Sequence, residues 1–215
     1  MEKKETIFAL STPYGRSAIA VIRLSGSNSL NVAKKLTKKK NFSNRAATFV
    51  NFFDNKDSLI DRGLIIFFKS PSSYTGEDML EIHTHGSIAI INKMFEVLEK
   101  IKGCRFAMPG EFSKRAFING KNDLIHFQGL ANLISSETEQ QRIVASKQTF
   151  GQTQNICKEW RQVIVESLAI LDSAIDFPEE GEDYNLNVIV KKLKKLIQTA
   201  EKAIEFSHTL SLIHI

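Results

Sequence analysis

The chain has 215 residues, 42% hydrophobic and 25% charged, an ordinary balance for a globular protein with sizeable cores. Its charge is divided: residues 1–121 hold 20 Lys+Arg against 11 Asp+Glu, residues 122–215 only 9 against 13, so the front half attracts anionic partners such as phosphates, polyglutamates or RNA. No apolar run nears the roughly 20 residues of a membrane-spanning helix, the apolar stretch in MEKKETIFALSTPYG is too short for a secretory signal, and two distant cysteines, Cys104 and Cys157, exclude a disulfide framework or a cysteine-rich zinc module; a cytoplasmic location is expected.

In chain order, TIFAL and SAIAVIRLSG read as strands joined by the turn STPYG, with Pro13 and Gly15 as its turn residues. SNSLNVAKKL reads as a short helix with Ser27 as its N-cap. Lys34 to Lys40 (KKLTKKK) taken alone is a solvated basic face. RAATFVNFF and LIDRGLIIFFK are β-branched and aromatic, hence strands. SIAIINKMFEVLEKI sets Ile88, Ile91, Met94, Phe95, Leu98 and Ile101 at helical spacing, and Gly103 stops it. MPGEFSKRAFINGKNDL starts a helix at Pro109 or Gly110 and ends it in the Asn119-Gly120 turn before Lys121.

From about residue 122 nearly everything reads as helix. One helix ends near Ile134, and Ser136 with Glu139 suggests a capping box for the next. Two long helices follow, with stripes of Trp160, Ile164, Ser167/Leu168, Leu171 and Ile175, and of Ile189, Leu193, Leu196/Ile197, Ala200 and Ile204. Pro178 and Gly181 break the pattern between them. These stripes call for packing partners, and without them they leave exposed apolar faces.

The stretch SPSSYTGEDMLEIHTHGS, residues 70–87, concentrates carboxylates and histidines. If DMLEIHTHG is a strand, Glu81, His83 and His85 share one face. A His-x-His pair supplies only two metal ligands, and no other residue has ligand spacing, so no metal site is assigned. A carboxylate on a strand can instead accept paired N–H bonds from a planar heterocycle; the bland alternative pairs Glu81 with a surface lysine. Arg23 lies in an otherwise apolar run, where an arginine calls for an anion or carboxylate partner; alternatively it faces solvent on an edge strand. No GxxxxGK[ST], GxGxxG or Ser-His-Asp pattern occurs, and no catalytic residue is assigned. The residues by themselves describe a binding domain with an anion-friendly, carboxylate-bearing pocket.

TIFALSTPYGRSAIAVIRLSGSNSL, SPSSYTGEDMLEIHTHGS, RFAMPGEFSKRAFINGKNDL and SAIDFPEE, in this order and spacing, resemble the front part of the tRNA modification GTPase family MnmE (TrmE), from about Thr6 to about Ser207. The resemblance implies an α+β chain: a mixed α/β domain over residues 1–121 that binds a tetrahydrofolate and dimerises, then the first half of a helical domain over 122–209. It implies 5-formyltetrahydrofolate or 5,10-methylenetetrahydrofolate as ligand, held by Arg23, Glu81 and Lys121. A pterin's amino group and ring N–H suit Glu81, and the formyl oxygen and glutamate tail suit Arg23 and Lys121. In this family a homodimer works with MnmG, an FAD protein, on C5 of the wobble uridine of tRNA. Asn122 and His126 depart from the family's usual residues, and the His83 position varies.

The family's Ras-like G domain, which uses GTP, Mg2+ and K+, follows a P-loop that this sequence lacks, so no GTP hydrolysis by this chain is expected. Residues 210–215, LSLIHI, can be read as CTG TCT CTT ATA CAC ATC, a transposon mosaic-end adapter, and are expected to be non-native. Two rival readings remain: a stand-alone folate-binding module of the aminomethyltransferase type, and a basic RNA-binding module without a small ligand. IDFPEE and the helical second half speak against the first. Against the second, the phenylalanines of FVNFF and LIIFF read as core and not as base-stacking platforms.

Overall fold

The computed structural model of the chain describes residues 5–176 and 186–211. Pro178 and Gly181, and residues 212–215 of the expected non-native tail, lie outside the described residues. The fold is α+β and divides into two compact units, residues 1–124 and 125–215.

The first unit is built on a six-stranded sheet in the order β3-β4-β5-β2-β1-β6. Its strands are β1 (Thr6–Leu10), β2 (Ser17–Ser25), β3 (Thr48–Phe53), β4 (Leu59–Phe68), β5 (Met79–Gly86) and β6 (Cys104–Phe106). All pairings are antiparallel except β1 with β6. The expected strands are present; β6, three residues in length, was too short to carry a sequence pattern.

Period-two alternation gives the sheet two unlike faces. Ala20, Ile22 and Leu24 of β2 and Leu80 and Ile82 of β5 are fully buried. Ile22, Leu24, Leu80 and Ile82 form one core with Val32, Ala33 and Leu36 of α1 (Ser29–Thr37) and Met94, Val97 and Leu98 of α2 (Ile88–Glu99). The alternate residues Val21, Arg23, Glu81 and His83 are half-buried on the opposite face.

Several ends differ from expectation. Asn28, not Ser27, is the N-cap of α1, and its side chain makes no capping bond; its amide N–H is already bound to Thr6 Oγ1 at 3.0 Å. Helix α2 closes at Lys100, and Gly103, at φ +82°, turns the chain into β6 instead of ending the helix. Helix α3 (Glu111–Ile118), by contrast, starts after Gly110 and ends at Asn119 as expected.

The second unit contains α4 (Leu124–Ile134), α5 (Glu139–Thr149), α6 (Gln152–Asp176) and α7 (Leu186–Ser211). The capping box sits two residues later than expected: Thr138 accepts from the Gln141 amide, and Gln141 reaches back to the Thr138 amide. Ser136 instead donates its hydroxyl to the Leu133 carbonyl and closes α4. On α6 the stripe residues Ile164, Leu168 and Ile175 are 50%, 55% and 74% exposed, while Ser167 is buried.

Gly63 of β4 sets the approach of β4 to β5: a Cβ there would collide with the His83 carbonyl oxygen. Gly63→Ala is expected to cost about 1–3 kcal/mol by forcing the strands apart. A lowered thermal midpoint with unchanged helical circular dichroism would show this; an unchanged midpoint would mean that β4 shifts without penalty.

Candidate functional site

Arg23 and Glu81 are direct cross-strand partners in the β2–β5 register. On an antiparallel pair such residues project side by side from the same face. Glu81 Oε1 accepts from Arg23 Nε at 2.9 Å, and Arg23 Nη2 stands 2.7 Å from the same oxygen in an ion pair. Arg23 thus has the carboxylate partner that its apolar run demanded, and the lysine partner for Glu81 is replaced by arginine. Strand β2 is central in the sheet, so Arg23 is not an edge residue facing solvent. The Arg23 guanidinium also lies 6.0 Å from the centre of the Tyr74 ring, within cation–π range.

His83 is next on that face. Its Nε2 is 3.6 Å from Glu81 Oε2, too long for a hydrogen bond, and is buried without a hydrogen-bond partner. His85 is engaged elsewhere: its Nδ1 pairs with Asp61 Oδ1 at 2.8 Å, and its amide donates to Asp61 Oδ2 at 2.8 Å. Burial pushes the Asp61 carboxyl up, but the His85 backbone and ring bonds outweigh it and hold it below the usual carboxylate range. With His85 turned to Asp61, the strand offers no convergent His-x-His pair. Among the described residues no group of three His, Cys, Asp or Glu side chains could hold a metal ion.

Lys121 follows the α3 C-terminus and is exposed. Its Nζ donates to the Pro71 carbonyl at 2.9 Å. No hydrogen bond or ion pair among the described residues joins it to Arg23 or Glu81. The connection runs through the loop of residues 69–78, which also carries Tyr74. That loop is fastened on both sides: Asn119 donates to the Thr75 carbonyl at 2.7 Å, Tyr74 and Ser113 hydroxyls lie 3.1 Å apart, and Ser25 pairs with Thr75 at 2.7 Å. Gly76, at φ +78°, faces the Asn119 and Lys121 side chains, where a left-handed backbone in a crowded spot favours glycine.

A second polar cluster went unnoticed in the sequence. Arg115 of α3 is 6% exposed. It donates to Glu77 Oε2 at 2.9 Å, Glu111 Oε1 at 2.9 Å, the Glu5 carbonyl at 3.0 Å and the Ser25 carbonyl at 3.4 Å. The visible signal was Glu111 and Arg115 at i, i+4, but nothing in that spacing announces burial.

The sequence profile described as GTP-binding protein TrmE N-terminus matches residues 6–121. The profile of the MnmE helical domain matches residues 124–214. The chain belongs to the MnmE (TrmE) family. It is 40% identical to the tRNA modification GTPase MnmE of Anaplasma marginale (strain St. Maries) over 208 residues, covering 97% of this chain and 46% of that protein. It is 42% identical over 200 residues to the MnmE of Wolbachia pipientis subsp. Culex pipiens (strain wPip), covering 92% and 45%. The MnmE of Parvibaculum lavamentivorans is 46% identical over 177 residues, covering 82% and 40%. The chain thus carries the N-terminal and helical domains of the MnmE family and spans about half the length of the curated relatives it matches.

The Arg115 cluster has a pH signature. The Glu111 carboxyl is lowered from 4.5 to about 2, chiefly by the Arg105 hydrogen bond, against desolvation and with help from the Met108 amide and Arg115. A depressed folded-state value stabilises the fold fully above the unfolded value and loses that contribution as pH falls toward the folded value. About 3 kcal/mol of stability is therefore expected to vanish between about pH 4.5 and pH 2, and Glu111→Gln should flatten urea-denaturation stability over that window. Arg115→Met, which removes the cation paired with Glu77 and leaves Glu111 to Arg105, is expected to cost about 3–5 kcal/mol at neutral pH; a loss below 1 kcal/mol would mean water replaces the guanidinium.

Proposed function

We propose that this chain is the N-terminal portion of a tRNA modification GTPase and that it binds a one-carbon tetrahydrofolate, 5-formyl or 5,10-methylene, through Arg23, Glu81 and Lys121. The observation that carries this reading is the Arg23–Glu81 pair on the sheet face turned away from α1 and α2. The Arg23 hydrogen bond and the closest ion-pair contact both fall on Glu81 Oε1, leaving Oε2 open to the N–H groups of a pterin ring. Tyr74 beside Arg23 adds an aromatic surface suited to a planar ligand. Lys121 is a mobile-stemmed cation on the neighbouring loop, the type of group that meets a carboxylate tail.

In this reading residues 1–121 are the folate-binding and dimerising domain, 122–209 the first half of the helical domain, and 210–215 an adapter-derived tail. GTP, Mg2+ and K+ belong to a G domain of the full-length protein. With MnmG and its FAD, the assembly acts in the cytoplasm on C5 of the wobble uridine of tRNA. The relatives' printed name, tRNA modification GTPase, supports this assignment.

Calorimetric titration of the purified chain with 5-formyltetrahydrofolate tests the ligand. Micromolar-range binding is expected, weakened by about 2 kcal/mol or more in Glu81→Ala through loss of charge-assisted hydrogen bonds. A folded, dimeric sample that takes up no folate but binds RNA with a steep salt dependence would replace the reading with the RNA-binding one.

A further inference from the structure

Two cations converge on the start of the loop that carries Tyr74. Arg45 Nη2 donates to the Ser72 carbonyl at 2.8 Å, and Lys121 Nζ to the Pro71 carbonyl at 2.9 Å. Both side chains belong to exposed residues, as does Lys69 at the head of the loop. The bonds of Arg45 and Lys121 go to neutral carbonyls, and among the described residues neither cation meets a carboxylate. The neighbouring Asp78 carboxylate accepts instead from the Ser70 amide at 2.8 Å. Uncompensated like charges gathered on one surface raise the local potential and draw anions to it.

Arg45 stands there at a cost. Its φ of +59° lies in the left-handed region that residues with a side chain disfavour. Its amide bond to the Phe67 carbonyl at 2.7 Å, with the Lys69 amide bonded to Asn44 Oδ1 at 2.8 Å, holds that turn against the end of β4. Glycine or asparagine would fit such a turn more cheaply, so the arginine side chain calls for a use. Only one of its five N–H donors is spent on Ser72 in these contacts.

The groups follow one path along the surface. The Arg23 guanidinium faces the Tyr74 ring, and Ser72 and Pro71, which precede Tyr74 by two and three residues, carry Arg45 and Lys121. We propose that Arg45 and Lys121 together form a tail subsite that takes successive carboxylates of a poly-γ-glutamyl tetrahydrofolate. This rests on the tetrahydrofolate reading above and adds Arg45 to it. A γ-glutamyl chain presents one carboxylate per residue. Lys121 meets the first as a point charge, and Arg45 takes a later one with its planar fork.

Calorimetry with 5-formyltetrahydrofolate bearing one or three glutamates tests the subsite on the wild-type chain, Arg45→Gln and Arg45→Lys. The wild-type chain should bind the triglutamate about fivefold more tightly, the worth of one exposed ion pair, and the advantage should fall as salt rises. Glutamine can still donate to the Ser72 carbonyl but carries no charge. Arg45→Gln should therefore cut the advantage to about twofold or less, and Arg45→Lys should keep most of it. No advantage in the wild-type chain, or an unchanged one in Arg45→Gln, overturns the subsite, while binding of the monoglutamate leaves the folate site standing. Equal losses for both ligands in Arg45→Gln likewise overturn it, because Arg45 would then only fasten the loop. A folded wild-type chain that binds neither ligand removes the folate reading and this inference together.

Discussion

Arg115 makes hydrogen bonds to Glu77, to Glu111 and to the carbonyls of Ser25 and Glu5 while only 6% exposed. A guanidinium so far from water holds its place only when its donors are matched. Those acceptors come from the end of β2, the loop before β5, the approach to β1 and the first turn of α3. The planar fork therefore fixes where α3 lies against the sheet. Because Asn119 and Lys121 follow α3 and fasten the loop carrying Tyr74, that loop inherits its position from this one buried cation.

The helical unit is held by different means. Gly129 of α4 lets that helix press against α5, where a Cβ would stand 2.7 Å from Gln148 Cβ and the Thr149 amide. His126 fits beside it, its Nδ1 2.8 Å from the Thr149 carbonyl. Farther on, Ser167 is buried in the middle of the α6 stripe with its hydroxyl returned to the Val163 carbonyl at 2.7 Å, so a small residue is buried without an unpaired polar atom. Lys192 reaches Glu166 at 3.4 Å, an exposed pair that sets register more than stability. The larger apolar residues around Ser167, namely Ile164, Leu168 and Leu171, are left partly in water.

Much of this was legible in the chain. Alternating Ala20, Ile22 and Leu24 against Val21 and Arg23, and Leu80 and Ile82 against Glu81 and His83, announce strands with one buried face and thereby the candidate site's parity. The ends were less legible, for local reasons. Ser27 and Ser136 have the right chemistry for caps, but the caps fell to Asn28 and Thr138 because Thr6 holds the Asn28 amide and Gln141 completes a box with Thr138. Arg115 was opaque because a salt-bridge spacing on a helix reads the same whether the pair is solvated or buried. The His83–Glu81 separation was equally hidden, since parity shows that two side chains share a face but not how far apart their polar atoms stand.

Parity also makes the candidate site unforgiving. A one-residue slip of β5 would turn Glu81 and His83 into the core and bring Leu80 and Ile82 to the opposite, polar face. The register is guarded at points where the backbones approach most closely. Gly63 admits the His83 carbonyl, Gly86 admits Ser17, and Gly26, at φ +139°, meets the Thr6 backbone where any side chain would clash. These three glycines do no chemistry, but they bring β4 against β5, β5 against β2, and the end of β2 against β1. The Arg23–Glu81 pair requires one alignment of β2 and β5, the 3.6 Å approach of His83 Nε2 to Glu81 Oε2 requires the β5 backbone to stay regular over three residues, and the glycines exclude the bulk that would disturb either. The polar face is thus set by backbone packing before any polar side chain contributes, and for that reason a carboxylate and an imidazole can be held together there without satisfying each other.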